Sequence, residues 1–381
     1  MTVMAVEPLL PTKEAAHLIA LTRDVADKLL TPIVDEHEKA ETYPEGVFAQ
    51  LGTAGLLSLS QPEEWGGGGQ PFEVYLQVLE EIAARWAAVA VAVSVHSLSC
   101  HPLLMFGSDE QKKRWLRGML SGEQIGAYSL SEPQAGSDAA APRCTAKPTP
   151  MATSSTAQSR GSPTAGAPTF TRCSPHRRRL ARGVVLPDPR RSARSFFRQA
   201  RGQGGLSAVP TTSPFYDHAH VEADRCIGDE GQGLQIAFSA LDSGRLGIAA
   251  VAVGLAQAAL DEAIAYANER TAFGRKIIDH QGLGFPLADM TAAVVSARAT
   301  YLDAARRRDA GRPYSTQASV AKLVATDAAM KVTTDAVQVF GGVGYTRDYR
   351  VERYMREAKI TQIFEGTNQI QRLVIARSLT K

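Results

Sequence analysis

A chain of 381 residues, 44% apolar and 21% charged, has the make-up of a soluble globular protein with room for two or three cored domains. Its net charge of +3 is small, and much of the excess belongs to one arginine-rich stretch, so no nucleic-acid partner is expected. The cysteines, Cys100, Cys144, Cys173 and Cys226, form no C-x-x-C pair, which points to reduced thiols and a cytoplasmic setting, with no disulfide framework and no metal site.

The N-terminus, "MTVMAVEPLLPTKEAAHLIALTRD", carries acids and no long apolar run, unlike a signal or transit peptide. From about Glu14 to Ala40, Leu18, Leu21, Val25, Leu29 and Ile33 recur at helical intervals. A shorter helix is expected over Gly46 to Leu56. "EEWGGGGQP" reads as a loop, since consecutive glycines hold regular structure poorly; without a following Lys-Ser/Thr it is no phosphate cradle. "FEVYLQVLEEIAARWAAVAVAVSVHSL" predicts one long, mostly buried helix. "SDEQKKRWLRGML" opens on a capping box, Ser108 to Gln111, and reads as a surface helix. No segment reads as apolar for long enough to span a bilayer.

At "IGAYSLSEPQAGSD" the pattern changes to a strand end, Tyr128 to Ser131, and a Pro/Gly turn. Strand character returns in "LSAVPTTSPFYDHAHVEADRCIG", at Val209, Phe215, His220 and Val221. From Gly231 the chain is helical again: an alanine-rich helix or pair of helices, two further helices, and a last one after Asn368. About four long helices with short connections predict an antiparallel bundle. The fold class is thus α+β and multidomain. An N-terminal all-helical domain covers 1–123, a middle β-domain 124–230 and a C-terminal four-helix bundle 231–381.

Candidate chemistry is sparse when each stretch stands alone. Glu365, between Phe364 and Gly366, is either a partly desolvated base or an acid at a helix N-terminus capped by Thr367 or Asn368. "QVFGGVGY" is either a glycine turn open to a ligand or a plain turn between helices. Arg270 and Arg275 suit a pyrophosphate or an ordinary helix end. Asp242 and Arg245 lie one helical turn apart, as in a surface ion pair.

Together, "YSLSEPQAGSD", "GRLGIA", "ERTAFGR", "QVFGGVGY" and "IFEGTNQIQR" resemble, in order and spacing, the flavin-dependent acyl-CoA dehydrogenases, most nearly the short- and branched-chain members. The resemblance covers nearly all of the chain outside roughly 148–205. It implies FAD between the β-domain and the C-terminal helices. Tyr128, Leu130, Ser131 and Ser137 would lie along the flavin, and Arg270, Gln281, Gln338, Gly341 and Gly342 would hold the adenosine diphosphate, partly across a subunit interface. Thr367, Asn368 and Gln369 would also touch FAD. Ser137, Asp242, Ser243, Gly244, Arg245 and Gly366 would meet the acyl-CoA substrate. Glu365 matches the catalytic base. Some members carry the base at the position of Gly244, which here has no side chain to serve. An electron-transfer flavoprotein as electron acceptor and a homotetramer are implied as well. Two rivals stay open, an acyl-CoA oxidase and a catalytically impaired remnant.

The stretch from Pro148 to Gly183 departs from the family. It lacks the expected strands and the Trp-Ile-Thr that packs on the flavin. Degenerate codons for Met151 to Gly166, read one nucleotide earlier, permit "DGYVINGSKSWITHGG". Thr169 to Pro175 permits "DFYTLFA" in the same frame. After Val184 the other frame permits "SCFLIPAD" and then "GKPEDK". Frame changes near Pro150, Gly183 and Gly204 sum to a whole codon. As written, residues 150–204 offer no alternating apolar face and are expected to be irregular. The rival reading is a disordered basic insertion.

Overall fold

The computed structural model describes residues 10–148, 153–158, 169–172, 184–185, 195–197 and 202–380. The N-terminal part is helical: α1 (Lys13–Leu29), α2 (Val34–Ala40), α3 (Val47–Thr53), α4 (Phe72–Arg85) and α5 (Ala87–Phe106), then α6 (Asp109–Gln111), which runs through a π-helical turn, Lys112–Leu116, into α7 (Arg117–Leu120). Both halves of the Ser108–Gln111 capping box form.

Two long helices of the sequence reading are broken. The first divides at Leu30–Ile33, where Pro32 has no N–H to continue the ladder. Its buried stripe is Ile19, Thr22, Ala26 and Leu30, whereas Leu21 is exposed. The second divides at Trp86, extended at φ −155° and ψ 98°. No glycine or proline marks that break. The buried Trp86 indole donates to Glu38 Oε1 at 2.7 Å, and this packing overrides helix propensity.

The middle part holds β1 (Ala127–Ser129), β2 (Thr145–Pro148), β3 (Thr153–Gln158), β4 (Thr169–Arg172), β5 (Val184–Val185), β6 (Ser195–Phe197), β7 (Pro214–Val221) and β8 (Cys226–Ile227). They form two four-stranded sheets, in the orders β1-β4-β5-β8 and β2-β3-β7-β6. β1 and β4 are parallel, with Tyr128 opposite Phe170, and the other pairs are antiparallel. Val209 lies outside any strand.

The expectation of irregular backbone over 150–204 is therefore wrong at β3, β4, β5 and β6. Ladder bonds use only the main chain, so polar residues can still pair with a neighbouring strand. The neighbours β1, β2, β7 and β8 all lie outside the anomalous stretch and offer such edges. The remainder of that expectation falls outside the described residues.

The C-terminal part is built on α8 (Gly233–Glu269), one helix of 37 residues. A hairpin, β9 (Thr271–Ala272) and β10 (Arg275–Lys276), leads to α9 (Gln281–Asp309) and α10 (Ser315–Phe340). Then come α11 (Val351–Thr361), which the sequence reading had not separated, and α12 (Asn368–Ser378). α8 packs against α4, α5, α9, α10 and α11, so it is the axis of the molecule. A Cβ at Gly254 would lie 2.2 Å from the Glu80 carbonyl oxygen, which is how closely α8 meets α4.

At that crossing sits a buried polar cluster. Arg298 of α9 donates to both Glu80 oxygens and, at 3.0 Å, to Gln257 Oε1 of α8, while the Tyr301 hydroxyl donates to Glu80 Oε2. α5 and α8 are long and apolar enough to cross a membrane, contrary to the sequence reading, but their apolar stretches are mostly buried in the core.

Candidate active site

Glu365 lies within the turn between α11 and α12. Its φ is 52°, in the left-handed region, and that of Gly366 is 90°. Side chains are disfavoured there, and such backbone persists only where its surroundings over-determine it. Here the surroundings are Gln371, whose amide donates to the Gly366 carbonyl at 2.9 Å and the Glu365 carbonyl at 3.3 Å, and Lys322, which donates to the Gly366 carbonyl at 2.9 Å. Thr367 caps α12 by accepting from the Ile370 N–H.

The Glu365 residue as a whole is half-buried, but both carboxylate oxygens are shut off from solvent and have no hydrogen-bond partner among the described residues. Burial pushes the carboxyl up to about 7, although the Lys322 and Arg245 charges pull it down. A group that titrates near neutrality and lacks a partner is poised to move a proton.

Gly244 of α8 faces this carboxylate: a Cβ there would lie 2.2 Å from Glu365 Oε2 and 3.1 Å from Leu98 Cδ1 of α5. The flanking residues of α8 form one rim. Arg245 donates to Asp242 Oδ1 at 2.6 Å, and Ser243 Oγ lies 3.2 Å from the Tyr314 hydroxyl. The Asp242–Arg245 pair is not the surface pair expected, because Arg245 is buried. Burial raises the Asp242 carboxyl, against the opposing pull of Arg245 and a hydrogen bond from Ser315.

Tyr128 ties β1 to α8 by donating to the Ala237 carbonyl at 3.1 Å. Leu130 and Ser131 follow β1 and are half-buried. Glu132 folds the next loop by accepting from the Arg143 and Cys144 N–H groups at 2.7 and 2.9 Å. Ser137 is exposed on that loop.

Asn368, expected as a cofactor contact, opens α12. Its side chain is buried: Oδ1 accepts from Lys322 at 2.9 Å and Nδ2 donates to Asp327 Oδ1 at 2.7 Å, so its polar capacity is spent in the core. Gln369 is exposed. The sequence reading missed Lys322 altogether, although a lone lysine among Ala318, Ala321, Ala325 and Ala329 on one helix face was a visible signal.

A second group of predicted residues lies elsewhere. Phe340 stacks on Tyr266 with ring centroids 4.1 Å apart, which brings the Gln338–Gly342 turn to the end of α8 where Arg270 stands. Gln281 opens α9 beyond the hairpin. Arg270, Gln281 and Gln338 are exposed, and a Cβ at Gly341 or Gly342 would meet nothing within 4 Å. Along a helix, Gly244 and Arg270 are about 39 Å apart. One chain therefore does not bring the two groups together.

The residues fit FAD. The open Gly341–Gly342 backbone with exposed Arg270, Gln281 and Gln338 suits a diphosphate and its nucleoside, and the unpartnered carboxylate beside β1 suits a reacting centre. The fold and this site define an α–β–α chain in which a buried, unpartnered carboxylate, that of Glu365, faces the bare backbone of α8 at Gly244. Two family models match it, acyl-CoA dehydrogenase N-terminal domain over residues 12–123 and acyl-CoA dehydrogenase C-terminal domain over residues 231–380. The chain is 38% identical over 377 residues to an acyl-CoA dehydrogenase of Bacillus subtilis, covering 97% of this chain and 98% of that one. It is 37% identical to the mitochondrial short-chain specific acyl-CoA dehydrogenase of Rattus norvegicus, with 94% and 88% covered. The butyryl-CoA dehydrogenase structure from Megasphaera elsdenii superposes with a TM-score of 0.95 at 32% identity, covering 98% of this chain and all of that one. A chain described under the electron transferring flavoprotein of Acidaminococcus fermentans superposes equally well, at 34% identity and with the same coverage. The chain belongs to the acyl-CoA dehydrogenase family, flavin-dependent oxidoreductases of fatty-acid metabolism.

Proposed function

We propose that this chain removes the α-proton and β-hydride of a short-chain acyl-CoA thioester, with Glu365 as the base. The observation that carries the reading is the Glu365 carboxylate itself, desolvated, unpartnered and facing the bare backbone of Gly244. When bound, FAD would supply the hydride acceptor. The chain supplies the rest. Glu365 accepts the α-proton. No hydrogen bond from the Glu365 N–H occurs among the described residues, so it is free to polarise the thioester carbonyl and stabilise the developing enolate. Tyr128, Leu130, Ser131, Thr367 and Gln369 line the flavin, and Ser137, Asp242, Ser243, Arg245 and Gly366 meet the acyl-CoA.

The separation of Arg270 and Gln281 from Glu365 supports a cofactor shared between subunits, hence a homo-oligomer, read as a tetramer. Electrons leave to an electron-transfer flavoprotein, a reading supported by the appearance of an electron transferring flavoprotein in the description of one structural neighbour. The names of the curated relatives support short acyl chains. The test is flavin bleaching by a series of acyl-CoA thioesters, with kcat/KM expected to peak at short chains. A peak at long chains overturns the substrate, and no bleaching in a flavin-loaded protein overturns the reaction.

We also propose that residues 150–204 are an out-of-frame reading of the family's β-domain segment. The two matched domains end and begin on either side of this region, and in-frame strands on both flanks still pair with what lies between. Resequencing the gene tests it: recovery of the Trp-Ile-Thr frame supports an error in the sequence, and the written frame places the slips in the gene.

A further inference from the structure

Lys322 is wholly buried on α10, on a face of alanines, Ser319 and Thr326 with no other charged residue among its buried positions. Its ammonium donates to the Gly366 carbonyl and to Asn368 Oδ1, each at 2.9 Å. Asn368 is braced in turn: its amide donates to Thr326 Oγ1 at 2.9 Å and to Asp327 Oδ1 at 2.7 Å. Gln362 donates to the same Asp327 oxygen at 2.7 Å. So both ends of the 362–368 turn are tied to one stretch of α10, and Lys322 reaches its middle.

We propose that Lys322 is a positioning residue for the base: it clamps the left-handed Glu365–Gly366 turn so that the carboxylate faces Gly244, and it keeps a fixed positive charge beside that carboxylate. A clamp alone needs only a donor. A buried ammonium costs far more desolvation than an amide, and the structure bears that cost next to an unpartnered carboxylate. The inference rests on the reading of Glu365 as the base.

The charged and titratable groups around Glu365 are few. Lys322 faces it from α10, Arg245 from α8 and Tyr75 from α4. Lys322 and Arg245 both hold the Glu365 carboxyl down against burial. Burial lowers Lys322 to about 8, while Glu365 and Asp327 pull it up and Arg245 pulls it down. Near neutral pH the lysine therefore stays charged while the base ionises. Without it, the Glu365 carboxyl would rise further, and less of the base would be ionised near neutral pH.

The test is a titration of the Glu365 carboxyl in the full chain as purified, by carbon-13 NMR with glutamate labelled at Cδ and the signal assigned through Glu365→Gln. Lys322→Met, close in length and without charge, should move the midpoint upward by about one unit or more. Lys322→Arg, which keeps the charge, should move it much less. A folded Lys322→Met whose Glu365 titrates as before overturns the proposal. If Lys322→Met does not fold, the unmodified chain decides: the Glu365 signal should show a second inflection as Lys322 loses its proton near 8, and its absence overturns the proposal. Flavin bleaching by acyl-CoA, read separately in a frame-repaired, flavin-loaded chain, keeps the two readings apart. Coupling without bleaching sinks the dehydrogenation, and bleaching without coupling sinks the role of Lys322.

Discussion

Gly244 and Glu365 share a space that has room for only one side chain: a Cβ on Gly244 would stand 2.2 Å from Glu365 Oε2. Gly244→Ala should therefore displace the base while leaving α8 intact. Alanine favours the helix by about 1 kcal/mol over glycine, which offsets part of the steric cost. Misplacing a catalytic group by about 1 Å can cost about a hundredfold in rate. The expected result is a loss of kcat of that order with an almost unchanged melting temperature. Undiminished kcat in Gly244→Ala would show that the carboxylate reacts from some other position.

Glu365→Gln should keep the fold, because the carboxylate oxygens make no hydrogen bond that the amide would lose. Flavin reduction should fall by roughly two to four orders of magnitude. The pH dependence has a definite sign. Burial raises this carboxyl to about 7, and the base works only when ionised. Reduction by acyl-CoA should therefore rise with pH through about 7 and level off above it. That step should vanish in Glu365→Gln. A rate that is flat between pH 6 and 8 in the unmodified protein, or a step that survives in the variant, removes Glu365 from the role.

Much of this was legible in the chain, for reasons that differ by residue. The helices of the bundle announce themselves because buried alanines and valines recur along α8 and α10 over many turns. The break at Trp86 does not, since it comes from a contact with Glu38, 48 residues away in sequence. Glu365 stands out only beside its motif, because its desolvation is made by α8 and α5, far off in the chain. The inward direction of the Asn368 side chain, toward Lys322 and Asp327, has no mark in the local sequence. Side-chain direction at a helix start depends on what lies beneath it. The strands β3 to β6 were missed because polar residues can follow a neighbour's backbone without any apolar pattern of their own.

The cluster of Glu80, Arg298, Gln257 and Tyr301 ties the N-terminal helices to the bundle. Arg298→Ala would leave the Glu80 carboxylate buried beside nothing that neutralises it. Breaking a buried pair from one side costs about 3–5 kcal/mol. Replacing both residues by apolar ones of similar size should cost much less. Urea denaturation should show a large drop in stability for Arg298→Ala and a clear recovery in Glu80→Met with Arg298→Met. Equal losses in the single and double variants would mean that the arginine acts through packing alone.

The last prediction concerns flavin occupancy. Glu365, Thr367 and the α8 rim are in place in the chain as written, and among the described residues the helices of the bundle bury their apolar faces. What β3 lacks is apolar surface. β3 reads Thr, Ser, Ser, Thr, Ala, Gln, where the neighbouring frame permits Tyr, Val, Ile, Asn, Gly, Ser and, a few residues on, Trp-Ile-Thr. Main-chain pairing with β2 and β7 survives such a change, since it needs no particular side chain. A wall that keeps water from a flavin does not survive it. Each buried apolar side chain contributes about 1.5–3 kcal/mol, and several are replaced here by hydroxyls and amides. Water at the ring weakens the electrostatic stabilisation of the developing enolate as well. The frame-repaired chain should therefore purify yellow with nearly one FAD per chain, and the written chain with far less, at similar helix content by circular dichroism. Absorbance at the flavin band against protein concentration measures both. Equal occupancy in the two proteins would show that the helices and loops around Glu365 hold the flavin on their own.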